Sequence, residues 1–215
     1  RAHAEGRGVV VAGGTGFYLR ALLVGLAPAP SADAALRAEL EALPDPHGEL
    51  LKVDPELAAK LHPNDRVRVV RGLEVYRLTG RPLSEIWAEH AQAAPRHEAV
   101  RLWLDREDLD ERIDRRVLMM MASGYLEEVA RLLDAGVPRT AKPMRSLGYR
   151  HLADHLLDGL ELEEAVRRTQ RDSRRFARKQ RTFLRGLGGF QQIHAGDHDA
   201  VLAAAREAFG PPPER

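Results

Sequence analysis

The sequence predicts an α/β protein in which a parallel-sheet core is interrupted by an all-helical insertion. Three observations predict this. Residues 9–26, VVVAGGTGFYLRALLVGL, pass from a β-branched run through a glycine turn into apolar residues at helical spacing. Residues 99–105, AVRLWLD, and 190–195, FQQIHA, carry strand character. Residues 31–95 lie between the first two strands and show helical patterns alone, and a helical block flanked by strands reads as an insertion into one core. The expected organisation is a core of residues 1–30 and 96–215 with an insertion at 31–95.

Val9–Ala12 is fully apolar, as in a strand buried between helices of a parallel sheet. Three strands are too few for a doubly wound core of this size, so further strands are expected from a preceding segment. Within the insertion, Ser31 or Asp33 can cap a helix reaching Leu43, and Asp54-Pro55 opens a short one. Asn64 or Asp65 opens a third that stops at Gly80, and Ser84 is placed to cap a fourth. After the 99–105 strand, Asp110 starts a long helix that ends at Gly136 and can kink at Gly124. Met119, Met120 and Met121 read as a core stripe on it. The tail after Gly210, PPPER, is expected to fray.

With 215 residues, 44% of them hydrophobic, the chain can bury a substantial core. No apolar run approaches the roughly 18 residues that span a bilayer, and no signal pattern opens the chain, so a cytoplasmic protein is expected. The absence of cysteine removes disulfides, thiolate metal sites and cysteine nucleophiles.

The net charge of +1 conceals an asymmetry, because residues 167–185 carry nine basic side chains and one acid, leaving −7 on the remainder. At 100° per residue, Arg167, Arg171, Arg174, Arg178, Arg181 and Arg185 stay on one helix face, widened by Arg168, Arg175 and Lys179. Phe176, Phe183 and Leu187 fall opposite and are expected to anchor the helix. A solvated helix would interleave acids at i,i+4; this one does not, so a polyanion-binding face is expected.

Other candidates are weaker. The turn Gly13-Gly14-Thr15-Gly16 can bring backbone close to a phosphate at a helix start, but any α/β protein has such turns. It is no Walker A loop: Lys52, Lys60, Lys142 and Lys179 follow Leu, Ala, Ala and Arg, never glycine. Arg145 and Arg150 bracket a glycine and a tyrosine on a loop, and Arg68 and Arg71 share a helix face; a solvated surface accounts for either pair as well. His151 and His155 have a zinc-compatible spacing, yet no third ligand is evident, and they read as surface histidines with no metal site.

Taken together, VVVAGGTGFYLRALLVGL, LHPNDRVRVVRGLEVYRLTGRPLSE, MMASGYLEEVARLL, LGYR and RRFARKQRTFLR resemble the bacterial tRNA dimethylallyltransferases, in family order over most of residues 8–190. Phe183-Leu184 stands where that family commonly has Trp-Phe, and Arg150 where it often has lysine. The resemblance implies a P-loop-kinase-like α/β core and a helical insertion that contacts tRNA. It implies transfer of a dimethylallyl group from dimethylallyl diphosphate, assisted by Mg2+, to N6 of the adenosine 3′ to the anticodon. By position, Thr15 would lie beside the reaction channel with Gly13 and Gly14 at the diphosphate turn, and Arg145 would offset leaving-group charge. Contacts to the tRNA anticodon stem-loop would come from Arg37, from Val67, Arg68, Val69, Val70 and Arg71, and from Arg145, Ser146, Leu147, Gly148, Tyr149 and Arg150. Arg178, Lys179, Gln180, Arg181, Thr182, Phe183, Leu184 and Arg185 would complete them.

The family's Walker-type loop and general-base aspartate have no counterpart in this sequence, so the chain, expected to be a monomer, should bind tRNA weakly and not prenylate it alone. The alternatives are a small-molecule phosphotransferase of the P-loop class, with no use for the arginine face, and a non-catalytic RNA-binding module.

Overall fold

The computed structural model describes residue 5, residues 7–92 and residues 95–210. The tail expected to fray, 211–215, lies outside the described residues. The chain divides into two compact units, residues 1–16 with 99–215, and residues 17–98. The divisions fall at 16/17 and 98/99 rather than at 30/31 and 95/96, so all of helix α1 (Gly16–Leu23) beyond its first residue belongs to the helical unit.

The helical unit is assembled by carboxylate caps. Asp33 accepts from the Leu36 N–H to start α2 (Ala34–Glu41), and Asp45 accepts from the Gly48 N–H to start α3 (Pro46–Val53). Asp54 does the same at Leu57 for α4 (Pro55–Lys60). Asp65 precedes α5 (Arg66–Thr79), which Gly80 ends in the left-handed conformation at φ 71°. Helix α3 was not expected, although Asp45-Pro46 is the same Asp-Pro signal that announces α4. Ser84, expected as a cap, lies inside α6 (Leu83–Ala91). Its Oγ donates to Asp54 Oδ1 at 2.6 Å and its N–H to Asp54 Oδ2 at 2.9 Å, so a buried carboxylate ties α4 to α6. Leu40, Leu50, Leu57, Val69, Leu73 and Ile86 form the core. A Cβ on Gly72 would lie 2.8 Å from methyls of Leu50 and Leu57, which is why α5 meets α3 and α4 at a glycine.

The other unit holds a two-stranded parallel sheet, β1 (Leu102–Asp105) beside β2 (Gln191–His194), with Leu102 opposite Gln191. Around it lie α7 (Leu109–Ala122), α8 (Tyr125–Asp134), a 3-10 turn at Pro143–Arg145, α9 (Tyr149–Asp158), α10 (Leu162–Leu187) and α11 (His198–Phe209). The expected long helix is two: Gly124, at φ 92°, takes a left-handed conformation that breaks the ladder between α7 and α8. Tyr125, Val129, Met144, Leu152, Ala153 and Ala165 form this unit's core, against which Met120 and Met121 pack, while Met119 is exposed.

The first expected strand is not one. Val9, Val10 and Val11 have no regular structure, and Val10 is 81% exposed. A strand satisfies its backbone only through a neighbour, and among the described residues neither β1 nor β2 pairs with this segment. Among the described residues no helix is long and apolar enough to cross a membrane.

Candidate functional site

Helix α10 buries Ala165, Thr169 and Asp172, the row that meets α9. The expected anchoring side is corrected by exposure: Phe176 and Phe183 are 48% and 38% exposed, whereas the side chains of Arg174 and Arg181 are each only 27% exposed. The middle of the arginine face, Arg174, Arg178 and Arg181, turns to α7 and β1, while Arg167 and Arg171 stay 62% and 61% exposed. Arg174 pairs with Asp114 and Arg178 with Asp110 at 3.4 Å. Arg181 donates from Nε and Nη2 to Asp105 Oδ1 at 3.0 and 2.6 Å and from Nη2 to the Arg106 carbonyl at 2.8 Å. Arg185 lies over the Trp103 ring, 5.6 Å from its centroid. At the start of α10 the acids are its own, Glu163 and Glu164, which pair with Arg167 and Arg168; farther along they are supplied by neighbouring elements, where spacing within one helix cannot reveal them.

A second row, Arg168, Asp172, Arg175 and Lys179, follows steps of 4, 3 and 4. Arg168 is held by Glu164 at 2.8 Å. Arg175 and Lys179 are exposed and have no side-chain partner among the described residues. Asp172 receives Arg150 and, at 3.0 Å, His151 Nε2, which docks the start of α9 one turn before Arg175. Burial alone would raise the Asp172 pKa, but hydrogen bonds from His151, Arg171 and Arg150 outweigh it and hold the carboxyl down at about 2. His151 is therefore buried rather than on the surface, with Nδ1 unpaired, and His155 Nδ1 lies 2.6 Å from the Leu160 carbonyl.

The segment leading into α9 is rigidly held. Met144 is buried, and Tyr125 Oη donates to the Leu147 carbonyl at 3.2 Å. Gly148, at φ 88°, passes so close to Tyr125 that a Cβ would lie 2.2 Å from its hydroxyl. Burial pushes the Tyr125 pKa up to about 12, so the hydroxyl stays a donor. Tyr149 meets Tyr125 edge-on at 5.5 Å and bonds Glu128, so its ring is engaged within the protein. Lys142, Arg145 and Ser146 are left exposed, and the two cations have no side-chain partner among the described residues.

The glycine turn also meets α10. Gln180 Nε2 donates to the Gly14 carbonyl at 2.7 Å, and a Cβ on Gly16 would lie 2.1 Å from the Phe183 ring. Gln180 and Phe183 thus hold the turn that carries exposed Thr15, while Gly13 has open space around it. Sequence spacing could not show this, because 166 residues separate Gln180 from Gly14. Thr182 is exposed with its hydroxyl on the Arg178 carbonyl, and Leu184 is half-buried. No hydrogen bond or ion pair joins Thr15 to Arg145 among the described residues.

In the helical unit the expected contacts separate sharply. Val69 and Val70 are core residues, so their side chains face no ligand, while Val67 is 82% exposed and Arg68 pairs with Asp65 at 2.7 Å. Arg37 and Arg71 converge on fully buried Glu74. Burial would raise the Glu74 pKa; Arg37, Arg71 and the Asp33 N–H outweigh it and lower it. No group of three or more histidine, aspartate or glutamate side chains placed to hold a metal ion occurs among the described residues.

A helical unit displaying paired arginines and a second unit displaying unpaired cations beside a glycine turn fit a protein that handles an anionic polymer. The family model for IPP transferase matches residues 1–187, and the chain belongs to that family. It is 40% identical to the tRNA dimethylallyltransferase of Geobacter sulfurreducens over 97% of its own length and 70% of that protein's. It is 44% identical to tRNA dimethylallyltransferase 2 of Geotalea uraniireducens over 85% of its length and 61% of that protein's. The tRNA isopentenylpyrophosphate transferase of Bacillus halodurans shares its fold with a TM-score of 0.60 and 32% identity, over 96% of this chain and 67% of that one. A eukaryotic dimethylallyltransferase acting on tRNA matches in fold with a TM-score of 0.76, over 99% of this chain and 60% of that one. The chain thus spans about 60–70% of the length of the relatives it matches.

Proposed function

We propose that this chain is the RNA-gripping part of an enzyme that transfers a dimethylallyl group from dimethylallyl diphosphate to N6 of the adenosine 3′ to the anticodon. The observation that carries the reading is the row of free cations, Arg175 and Lys179, beside the docked segment bearing Lys142 and Arg145. These four are among the exposed cations without a side-chain partner among the described residues, and their placement on one face of α10 and on the held segment before α9 supports phosphates of an anticodon stem-loop sitting there. Thr15, held against α10 by Gln180 and Phe183, belongs to the edge of the same site, where the target base must leave its stack to be modified. Arg145 offsets charge on the departing diphosphate, which Mg2+ would neutralise further if bound with it.

The sheet-bearing unit then corresponds to a P-loop-kinase-like core and the helical unit to an insertion that contacts the RNA arm, in a cytoplasmic monomer. Four of the expected contacts change character. Val69 and Val70 contribute only scaffolding, and Gln180 and Phe183 serve the turn rather than RNA.

The test is anisotropy of a labelled anticodon stem-loop across a potassium chloride series. Affinity should fall by roughly 0.7 log units per log unit of salt for each phosphate neutralised, and Arg175→Gln with Lys179→Gln should reduce that slope by about 1.4. A flat salt response, or a slope the double variant does not move, defeats the reading.

A further inference from the structure

We infer that Glu74 is a positioning residue that turns Arg37 into a preorganised receptor for one phosphate, an inference resting on the RNA reading above. Glu74 is fully buried on α5 and receives two arginines and a backbone N–H. Arg37 approaches side-on, Nε to Oε1 at 2.9 Å and Nη2 to Oε2 at 3.0 Å. A guanidinium has five N–H donors in a rigid plane. This pairing uses two of them on one edge and leaves three, both on Nη1 and one on Nη2, of which one from each nitrogen forms the terminal edge. The Arg37 side chain is 40% exposed, and its Nη1 makes no hydrogen bond among the described residues.

Arg71 differs. It spends Nη1 on Glu74 and Nη2 on the Pro30 carbonyl at 2.7 Å, and its side chain is 28% exposed, so it buttresses the carboxylate. The Asp33 N–H completes the cradle at 2.8 Å, and the Asp33 carboxylate is itself engaged at the Leu36 N–H. A carboxylate saturated this way cannot swing, and neither can the arginine held bidentately on it. The ordering that an exposed arginine normally loses on meeting a phosphate is already complete before the ligand arrives. Sequence spacing could not find this, because Glu74 lies 37 residues from Arg37 and reads as one more helix carboxylate.

The test combines a double-mutant cycle on stem-loop affinity with nitrogen-15 NMR of the arginine side chains of the whole chain. Arg37→Ala should weaken binding roughly ten-fold and Glu74→Gln about three- to five-fold, and Glu74→Gln should add nothing once Arg37 is alanine. Arg37→Lys, which keeps the charge but cannot pair bidentately, should lose as much as Glu74→Gln. In the wild type, the Arg37 Nε–H should give a resolved, slowly exchanging signal that Glu74→Gln abolishes while the remaining backbone spectrum persists. Additive losses in the cycle, or an Arg37 signal that survives Glu74→Gln, overturn the inference. If Arg37→Ala leaves affinity unchanged while the signal still depends on Glu74, the coupling stands and the RNA reading at Arg37 fails instead. Should Glu74→Gln unfold the helical unit, Arg37→Lys and the Arg37 signal decide by themselves.

Discussion

Replacing Asp110 and Asp114 on α7 with asparagine removes the partners of Arg178 and Arg174. The Arg178 side chain is 57% exposed and its pair at 3.4 Å is loose, so it should become fully available to a phosphate; Arg174, 27% exposed, should become partly so. Each additional phosphate neutralised on a single-stranded loop adds about 0.7 to the slope of log affinity against log salt. Asp110→Asn with Asp114→Asn should therefore steepen the slope by about 1 and tighten binding several-fold at low salt. Exposed ion pairs contribute about 0–1 kcal/mol each, so the fold should persist with only a small fall in Tm. The assay is stem-loop anisotropy at several salt concentrations, beside Glu111→Gln with Glu127→Gln. That control changes net charge equally and releases no arginine, since both glutamates are exposed without side-chain partners among the described residues. If the two double variants behave alike, or if binding weakens, α7 does not compensate an RNA-facing surface and the account of α10 is wrong.

Two further outcomes follow from the packing. The His151, Arg171 and Arg150 hydrogen bonds hold the Asp172 carboxyl down at about 2, below the ordinary aspartate range, so its contribution is complete above about pH 4 and is lost as pH falls through 2. Asp172→Asn should cost roughly 1–2 kcal/mol at neutral pH, discounted for nearby solvent, and should flatten the acid side of the stability profile measured by chemical denaturation. Gly16→Ala places a methyl against the Phe183 ring and should shift the Thr15 backbone resonance and destabilise this unit by about 1–3 kcal/mol; adding Phe183→Ala should relieve most of that clash, and failure of the relief would disprove the contact.

How much of this was legible in the sequence depends on the range over which each feature is determined. Asp33, Asp54-Pro55, Gly80 and Gly124 act within a turn or two, and each starts or stops a helix where local chemistry predicts. The strand at Leu102–Asp105 was legible because its apolar pattern found a partner in Gln191–His194. The strand expected at Val9–Ala12 failed because pairing is non-local. The phasing of the α10 arginines is legible, but the half-burial of Arg174 and Arg181 is not, because Asp105, Asp110 and Asp114 lie some 60–76 residues away from the arginines they meet. Ser84 and His151 are illegible locally for the same reason, since each is defined by a buried carboxylate outside its own helix, Asp54 and Asp172.

Photo-crosslinking an anticodon stem-loop that carries 4-thiouridine beside the target adenosine, followed by peptide mapping, tests most directly that the unpaired cations of α10 and the segment before α9 grip tRNA. The account predicts cross-links within residues 142–150 and 175–185, competed by unlabelled stem-loop and weakened by salt. Cross-links confined to α8 or α11, or insensitive to competitor, would contradict it.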